Sequence, residues 1–214
     1  MVLYRESGEI EHTSFRHIAD YLPLGALIVA NNSKVFPARL RGVKTRTGGG
    51  VECLLTTPLP LLQAEPLDAE WKQAPASAVL RPSKRIRSGE RIRFGEDLAF
   101  RVQELGDYGQ ATGLIQWRGS LTRVLDRIGN MPLPPYIDRE DEAMDRDRYQ
   151  TVYAREDKKG SAASPTAGLH FSQEILADLQ DKGALWTEIS LHVGYGTFSP
   201  LRERDIRKHR MHAE

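Results

Sequence analysis

The stretch from residue 37 to residue 118 restricts the fold most, because it carries strand patterns and no helical period. Short strands are predicted at residues 38–44, 51–57, 71–73, 78–81, 91–94, 100–105 and 111–117. Turn residues such as Gly89 and Gly106 separate them. Many short strands joined by glycine turns are typical of a small β-barrel. The sequence therefore predicts an antiparallel β-barrel over residues 37–118.

The residues on either side of the predicted barrel have an α/β pattern. Residues 25–30 are a continuous apolar run, which is typical of a strand buried on both faces. Helices are predicted at 14–22, 119–130 and about 172–182, a hairpin at 2–12 and a strand at 184–193. We therefore expect an α/β domain with an inserted small antiparallel β-barrel domain. The α/β domain is discontinuous and comprises residues 1–36 and 119–214.

The composition is that of an ordinary globular chain, and it excludes several classes of protein. Of the 214 residues, 40% are hydrophobic and 28% are charged, which is outside the disordered range. No apolar run reaches the roughly 18 residues of a membrane span, and residues 1–6 lack the apolar core of a signal peptide. Cys53 is the single cysteine, so neither an intrachain disulfide nor a cysteine-rich metal site can form. Together these features predict a cytoplasmic protein.

Basic residues are concentrated in one short region, although the net charge of the chain is only +1. They are Arg81, Lys84, Arg85, Arg87, Arg91 and Arg93. Only Glu90 opposes them, so on the rim of a barrel they would form a patch for phosphate groups. A solvated charged face is the alternative interpretation. The aromatic residues that could stack on bases, or simply pack in a core, are Tyr149, Tyr153, Phe171, Tyr195 and Phe198.

Residues 161–171 form a small and nearly uncharged stretch between two charged segments. Pro165 restricts the backbone there, and Gly168 allows a ligand to approach the backbone closely. His170 follows just before a helical pattern, for which Ser172 is the candidate N-cap. Such a loop can present backbone N–H groups and one imidazole to a polar or anionic ligand. The same pattern also fits an ordinary connection with a structural histidine.

Two further segments carry histidines. His192 precedes the turn at residues 194–196, but no third glycine opens a helix there, so a dinucleotide fingerprint is rejected. His209 and His212 are three residues apart and would share one face of a helix. They could form half of a metal site, acid–base groups or exposed side chains, and a metal-dependent hydrolase is therefore one alternative. No HExxH motif, nucleophile elbow or P-loop occurs.

Six peptides, taken together, resemble one known family over the whole length of the chain. They are NNSKVFPARL (31–40), IGNMPLPPYI (128–137), RYQTVYA (148–154), PTAGLHF (165–171), LHVGYGTF (191–198) and HRMH (209–212). In this order they are similar to the S-adenosylmethionine:tRNA ribosyltransferase-isomerases of queuosine biosynthesis. Each peptide alone is a weak signal, whereas the combination is specific.

The resemblance implies an α/β domain with an inserted β-barrel, in agreement with the residue patterns. It also implies transfer and isomerisation of the ribosyl moiety of S-adenosylmethionine onto 7-aminomethyl-7-deazaguanine at the tRNA wobble position. The products are epoxyqueuosine-tRNA, adenine and methionine. S-adenosylmethionine is then a co-substrate, tRNA is the partner, and neither a metal, a membrane nor a second subunit is expected. The alternative is a truncated or degenerate relative that acts only as an RNA-binding module.

The resemblance and the positions of the residues together give a candidate site. The catalytic candidates are His170, His192, His209 and His212. An imidazole has a pKa near neutrality, so it suits removal of the C5′ proton beside the sulfonium and protonation of adenine. Which of them is the acid and which the base is left open. The candidates for cofactor binding are Pro165, Thr166, Ala167, Gly168, Gly194, Gly196 and Thr197. The candidates for contact with substrate or tRNA are Asn31, Arg39, Tyr149, Phe171, Phe198, Arg81, Lys84, Arg85 and Arg87.

The chain departs from the family pattern in two residues and in length. Asn32 stands where the family usually has aspartate, and Asn130 stands where it usually has histidine. An amide cannot act as an acid or base at neutral pH, so neither position is given such a role. Family members begin earlier and continue further, and we therefore expect truncation at both ends and an open sheet.

Overall fold

The computed structural model describes residues 1–134, 136–194 and 205–208. The strands are β1 (Val2–Leu3), β2 (Ile10–Glu11), β3 (Leu27–Asn31), β4 (Lys34–Val35), β5 (Arg39–Lys44), β6 (Gly50–Leu55), β7 (Glu65–Pro66), β8 (Trp71–Arg81), β9 (Arg91–Arg93), β10 (Leu98–Leu105), β11 (Gln110–Arg118), β12 (Lys159–Ser161) and β13 (Leu185–Ile189). The α-helices are α1 (Leu121–Ile128), α2 (Asp145–Arg148) and α3 (Gln173–Asp181). Short 3₁₀ helices lie at Phe15–Asp20, Leu59–Leu61, Asp107–Gly109, Glu156–Lys158, Thr166–His170 and Ile206–Lys208.

Six antiparallel strands close into a barrel in the order β11-β10-β9-β5-β6-β8, with β8 returning to β11. The predicted antiparallel β-barrel is therefore confirmed. Alternate residues point inward, as in β6, where Val51, Cys53 and Leu55 are buried. Helix α1 adds Val124 and Leu125 to the same core. Burial raises the pKa of the Cys53 thiol, which makes this cysteine an inert core residue.

Strand β8 is one continuous strand, whereas the sequence predicted two short strands at 71–73 and 78–81. That prediction was wrong, and the observed strand runs through Pro75, a residue that is usually confined to strand edges and bulges. Along β8, the side opposite β11 pairs with β7 at Lys72 and Gln73 and with β6 only from Ala78 onward. Pro75 lies in the gap between these two partners, where its missing N–H group breaks no ladder hydrogen bond.

The remaining strands form two parallel pairs. Strand β13 pairs with β3 from Leu185↔Leu27 to Ile189↔Asn31, and β12 pairs with β4. Helix α3 covers one face of β3 and β13, where Ile175 and Leu179 pack with partly buried residues that include Ile28. Ser172 caps α3 as predicted, because its side chain accepts a hydrogen bond from the backbone N–H of Ile175 at 3.3 Å.

The prediction that residues 25–30 are buried on both faces was wrong. Leu27 is 60% exposed and Val29 is 53% exposed, while Ala30 is buried. An apolar run predicts cover on both sides, but only one layer of helix packs on these strands among the described residues. The hairpin of β1 and β2 and the helix near 119–130 are confirmed. Residues 14–22 form only a six-residue 3₁₀ helix, Phe15–Asp20, because Pro23 stops a segment too short to nucleate a stable α-helix.

Among the described residues, no helix is both long and apolar enough to cross a membrane.

Candidate functional site

Three chain segments meet at the hydroxyl of Ser161. This hydroxyl donates a hydrogen bond to Ser33 Oγ at 2.8 Å and accepts one from the backbone N–H of Val193 at 3.0 Å. The N–H of Ala162 donates to the carbonyl of Val193 at 2.9 Å. Ser33 and Ser161 are both fully buried. The end of β12, the turn between β3 and β4, and the segment after β13 are therefore fixed to one another at the carboxyl ends of parallel strands, where open sheets bind ligands.

Asn31 and Asn32 extend this junction to the residues after β13. The Asn31 side chain donates to the carbonyl of Leu191 at 2.9 Å and accepts from the Leu191 N–H at 3.1 Å. The Asn32 side chain donates to Glu188 Oε2 at 3.0 Å and accepts from the Ser190 hydroxyl at 2.6 Å. The hydrogen bond from Asn32 lowers the pKa of Glu188, so that carboxylate stays ionised. Both amides thus hold the 188–193 segment in one conformation.

His192 is positioned by this segment and packs on Gly160. A Cβ added to Gly160 would lie 3.0 Å from Nδ1 of the His192 ring, so only glycine lets the imidazole approach the backbone there. The Nδ1 atom is buried and has no hydrogen-bond partner among the described residues. Burial, together with the charge of Lys158, lowers the pKa of His192. The imidazole is therefore neutral near pH 7.

His170 has different surroundings from His192. It is exposed at the end of the 3₁₀ helix Thr166–His170, with its ring 5.4 Å from that of Phe15. Gly194 is half-buried beside the Ser161 junction. The other predicted residues of the site, His209, His212, Gly196, Thr197 and Phe198, lie outside the described residues. Within the described ranges, no group of three or more His, Cys, Asp or Glu side chains is arranged to hold a metal ion.

Three buried hydroxyl groups near the 161–170 loop lack hydrogen-bond partners in the described structure. They are Tyr149 Oη, Thr151 Oγ1 and Ser164 Oγ, although the Thr151 hydroxyl lies close enough to the Tyr153 hydroxyl to oppose the rise in the pKa of Tyr153. The backbone N–H of Ser164 faces Tyr149 Oη without reaching hydrogen-bond geometry, and burial raises the pKa of Tyr149 to about 12. An unsatisfied buried hydroxyl costs about 1–3 kcal/mol. Such a group can complete its hydrogen bonds with a water, an ion or a polar ligand.

Gly168 brings the loop against the segment that carries these hydroxyls. A Cβ added to Gly168 would lie 2.7 Å from Cγ2 of Thr151 and would overlap the hydroxyl of Tyr153. Pro165 is half-buried, while Thr166 and Ala167 are exposed on the outer side of the turn. The predicted cofactor-binding turn therefore packs directly on residues 149–153.

Arg39 and Tyr149 are held together by contacts with the backbone. The Gln150 side chain accepts from the Val35 N–H at 2.9 Å and donates to the Val35 carbonyl at 2.8 Å, which fixes the neighbouring Tyr149. Arg39 donates to the carbonyl of Leu133 at 2.9 Å, and its charge opposes the rise in the pKa of Tyr149. These two predicted substrate contacts therefore lie close to each other.

Phe171 lies in an aromatic cluster. Its ring centroid is 4.9 Å from that of Phe15 and 5.8 Å from that of Trp186. Tyr153 packs on Trp186 at 5.1 Å. A groove of about 600 Å³ runs beside Tyr153 and Trp186 along α3. Phe171 therefore supports the base of the loop through its packing.

The predicted basic contacts lie elsewhere, on the barrel. Arg81 ends β8, and Lys84, Arg85 and Arg87 follow in the connection to β9. All four are exposed. None of the hydrogen bonds or ion pairs in the described structure links them to the 161–170 loop.

The sequence did not identify Ser33, Ser161, Ser164 or Thr151 as residues of the site. The hydrogen bond between Ser33 and Ser161 joins residues 128 positions apart, so no local pattern could have revealed it. The nearest signal was the run of serine and alanine in residues 161–164, which was interpreted only as a small and flexible stretch.

The described residues thus define an α/β protein with a closed β-barrel, with unsatisfied hydroxyls beside a glycine-containing loop and a neutral imidazole at the strand ends. The chain belongs to the queuosine biosynthesis protein family, because the model of that family matches residues 1–214.

Relatives with curated names support this assignment. An S-adenosylmethionine:tRNA ribosyltransferase-isomerase of Nitratidesulfovibrio vulgaris is 51% identical over 221 residues, covering 100% of this chain and 59% of the relative. The protein of the same name from Oleidesulfovibrio alaskensis is 49% identical, covering 100% of this chain and 56% of the relative. The chain therefore spans somewhat more than half the length of these relatives.

A solved structure, that of the S-adenosylmethionine tRNA ribosyltransferase from Thermotoga maritima, is 26% identical and covers 89% of this chain and 49% of that one, with a TM-score of 0.33. A TM-score this low supports no conclusion about shared geometry.

Proposed function

We propose that this chain transfers and isomerises the ribosyl moiety of S-adenosylmethionine onto 7-aminomethyl-7-deazaguanine at the wobble position of tRNA. The names of the relatives motivate the reaction class. The observation that carries the proposal is the buried, unpartnered Nδ1 of a neutral His192 at the Ser161 junction. A group of this kind suits a general base.

The chemistry requires proton transfer at three places. The positive sulfur of S-adenosylmethionine acidifies the adjacent C5′–H, so a positioned base can remove that proton. Adenine leaves readily only when it is protonated, which requires a general acid. The aminomethyl group of the tRNA base must lose its proton before its nitrogen attacks carbon. We assign the first base to His192, and His170, His209 and His212 stay candidates for the other two roles.

We further propose that the 161–170 loop holds S-adenosylmethionine. The hydroxyls of Thr151 and Ser164 would hydrogen-bond the ribose or adenine, and the backbone turn would approach the ligand closely. The other proposed contacts with S-adenosylmethionine are Pro165, Thr166, Ala167, Gly168, Gly194, Gly196 and Thr197. The proposed contacts with the tRNA nucleotide are Asn31, Arg39, Tyr149, Phe171 and Phe198, and those with phosphates are Arg81, Lys84, Arg85 and Arg87.

The remaining expectations are also proposals. Residues 1–36 and 119–214 would form one unit, and residues 37–118 an inserted barrel unit. A tRNA substrate suggests a cytoplasmic location. The protein would act as a monomer without a metal.

The proposal is tested by incubating the purified chain with S-adenosylmethionine and tRNA that carries 7-aminomethyl-7-deazaguanine. We expect release of free adenine, which chromatography detects. Unmodified tRNA with guanine at the wobble position is the control and should release none. Binding of the modified tRNA without any release of adenine would contradict the proposal and would favour an RNA-binding module.

A further inference from the structure

A groove on the barrel lies between two connections that are distant in sequence. One is the turn between β5 and β6, and the other is the connection from β8 to β9. The groove has a volume of about 490 Å³. The cations that line it are Lys44, Arg46, Lys84, Arg85 and Arg87. We refer to these five residues and the space between them as the basic groove.

The basic groove concentrates positive charge in a chain that is almost neutral. Residues 44–50 and 81–93 contain eight Lys and Arg residues and one carboxylate, Glu90. The excess of seven in a chain of net charge +1 leaves six negative charges in excess on all other residues. The Glu90 side chain is only 2% exposed, and it pairs with Arg46 at 3.2 Å. Within these two segments, the positive charge is thus opposed only by a buried carboxylate.

Three of the lining cations have no partner within the described residues. Lys84, Arg85 and Arg87 are exposed, and their side chains form no ion pair or hydrogen bond in that part of the chain. Some exposed arginines outside the groove do pair with carboxylates, such as Arg118 with Asp97 at 2.7 Å, whereas others, such as Arg5 and Arg123, are unpaired in the described residues. Three unpaired cations in one concave surface favour binding of an anion with several charges.

The connection that carries these cations is rigidly attached to the barrel. Ile86 is buried in the barrel core between Arg85 and Arg87. The N–H of Gly89 donates to the carbonyl of Val102 at 2.8 Å, and the N–H of Val102 donates to the carbonyl of Glu90 at 2.9 Å. The backbone that carries the cations is therefore held in place before any ligand binds, which reduces the entropic cost of binding.

Strand β5 relates the basic groove to the candidate site. It begins at Arg39, which contacts the Leu133 carbonyl near Tyr149, and it ends at Lys44 in the groove. Five residue steps at about 3.3 Å give a separation of roughly 17 Å. One nucleotide cannot bridge that distance. A strand of B-form duplex rises about 3.4 Å per nucleotide, and on that scale about five nucleotides would cover it.

We infer that the basic groove binds backbone phosphates of the tRNA about five nucleotides from the nucleotide held near Arg39 and Tyr149. This inference rests on the proposed function and identifies the surface through which the RNA stem is bound. Phosphate contacts of this kind fix the register of the RNA and do not depend on its sequence. Lys44 and Arg46 form the wall of the groove opposite Lys84, Arg85 and Arg87, which the sequence had already indicated as basic contacts.

The test is the salt dependence of tRNA binding by the full chain, measured by filter binding at several salt concentrations. The variant is Lys84→Ala, Arg85→Ala and Arg87→Ala combined. Arg46 is retained, because its removal would leave the buried carboxylate of Glu90 unpaired. The slope of log K against log salt is negative, and each lost phosphate contact makes it less steep by about 0.7–0.9. We therefore expect the magnitude of the slope to decrease by about 2–3 units.

A matched control removes the same charge elsewhere. Arg5, Lys72 and Arg123 are exposed and unpaired in the described residues, so their combined replacement by alanine lowers the net charge equally. The control should keep the wild-type slope. An unchanged slope in the groove variant, or an equal loss in the control, would overturn the inference. Stronger binding of wild-type protein to anionic phospholipid vesicles than to tRNA would also overturn it, because the groove would then face a membrane.

The binding assay is independent of catalysis. Unmodified tRNA is used as the probe, so the slope reports the groove whether or not adenine is released. If adenine is released but the slopes are equal, only the groove assignment fails. If the slopes differ as expected but adenine is not released, only the proposed function fails. Absence of any tRNA binding by the wild-type chain overturns the groove assignment directly.

Discussion

At the scale of single residues, the two described histidines of the candidate site have opposite environments. The Nδ1 atom of His192 is buried beside Gly160, and burial lowers the pKa of the imidazole. His170 is exposed and packs on Phe15. A base must be unprotonated to act, so His192 is the better candidate for abstraction of a proton near neutral pH.

Replacement of His192 by asparagine is predicted to reduce the rate of adenine release at least tenfold. Tenfold corresponds to about 1.4 kcal/mol in the activation barrier. In the wild type, kcat/KM should stay on its plateau below pH 6.5 and fall only as His192 becomes protonated, because the pKa of His192 is lowered. The measurement is adenine release as a function of pH. His170→Asn in the same assay shows whether His170 has one of the other two proton-transfer roles.

Either of two results would remove His192 from the role of base. One is an unchanged rate for His192→Asn. The other is the same acidic limb in the variant as in the wild type, because the limb would then belong to another group.

Ser161 and Ser164 belong to one loop, and their replacement by alanine separates an effect on the stability of the fold from an effect on ligand binding. Ser161→Ala leaves both Ser33 Oγ and the Val193 N–H without their buried partner, and should lower the free energy of unfolding by about 1–3 kcal/mol. Ser164→Ala removes a buried hydroxyl that has no partner in the described residues, and should leave stability unchanged or slightly higher. Ser164→Ala should instead weaken binding of S-adenosylmethionine.

Urea unfolding and isothermal titration calorimetry with S-adenosylmethionine provide the two measurements. Equal loss of stability in both variants would show that Ser164 has a structural partner. Unchanged affinity for S-adenosylmethionine in Ser164→Ala would exclude its hydroxyl from the ligand site.

At the scale of elements, the barrel was predictable because its strands carry their own signal. Alternation of buried and exposed residues and glycine turns are local features, and they indicated β5, β6, β9, β10 and β11 within a few residues. That β8 is one continuous strand was not predictable. Pro75 breaks no ladder hydrogen bond only because the pairings of β6 and β7 with β8 end on either side of it. The exposed face of β3 was missed for a similar reason: an apolar run does not reveal which layers cover it.

Strand β10 provides a prediction at the scale of elements. Phe100 is buried in the barrel core and the next residue, Arg101, is exposed. Phe100→Ala should lower the free energy of unfolding by about 3–5 kcal/mol, because it leaves a large cavity in a closed barrel. Arg101→Ala should change it by less than about 0.5 kcal/mol. Chemical denaturation measures both, and similar losses in the two variants would contradict the alternation along β10.

At the scale of the whole molecule, the candidate site was predictable in its parts but not in its assembly. The peptides at 165–171 and 191–198 were found from the sequence, yet the contacts that join them run through Ser33 and Asn31. These contacts span more than a hundred residues, and a single sequence contains no record of them. The basic groove is a similar case, because Lys44 and Arg46 join it only through closure of the barrel.

The spatial distribution of charge is also a property of the whole folded chain. The near-neutral net charge of +1 suggested no global attraction to nucleic acid. The fold separates the charge into one strongly basic groove and an acidic remainder. This polarity would orient an RNA stem on the barrel while its modified nucleotide reaches the loop at residues 161–170.

The most direct test of the account is a double-label experiment on the ribosyl transfer itself. S-adenosylmethionine labelled separately in its adenine and its ribose is incubated with the chain and tRNA carrying 7-aminomethyl-7-deazaguanine, with the Nitratidesulfovibrio vulgaris relative as the positive control. The account predicts one ribosyl label incorporated into tRNA for each adenine released, and loss of both in His192→Asn. Incorporation by the control but not by this chain, or equal incorporation by wild type and His192→Asn, would contradict it.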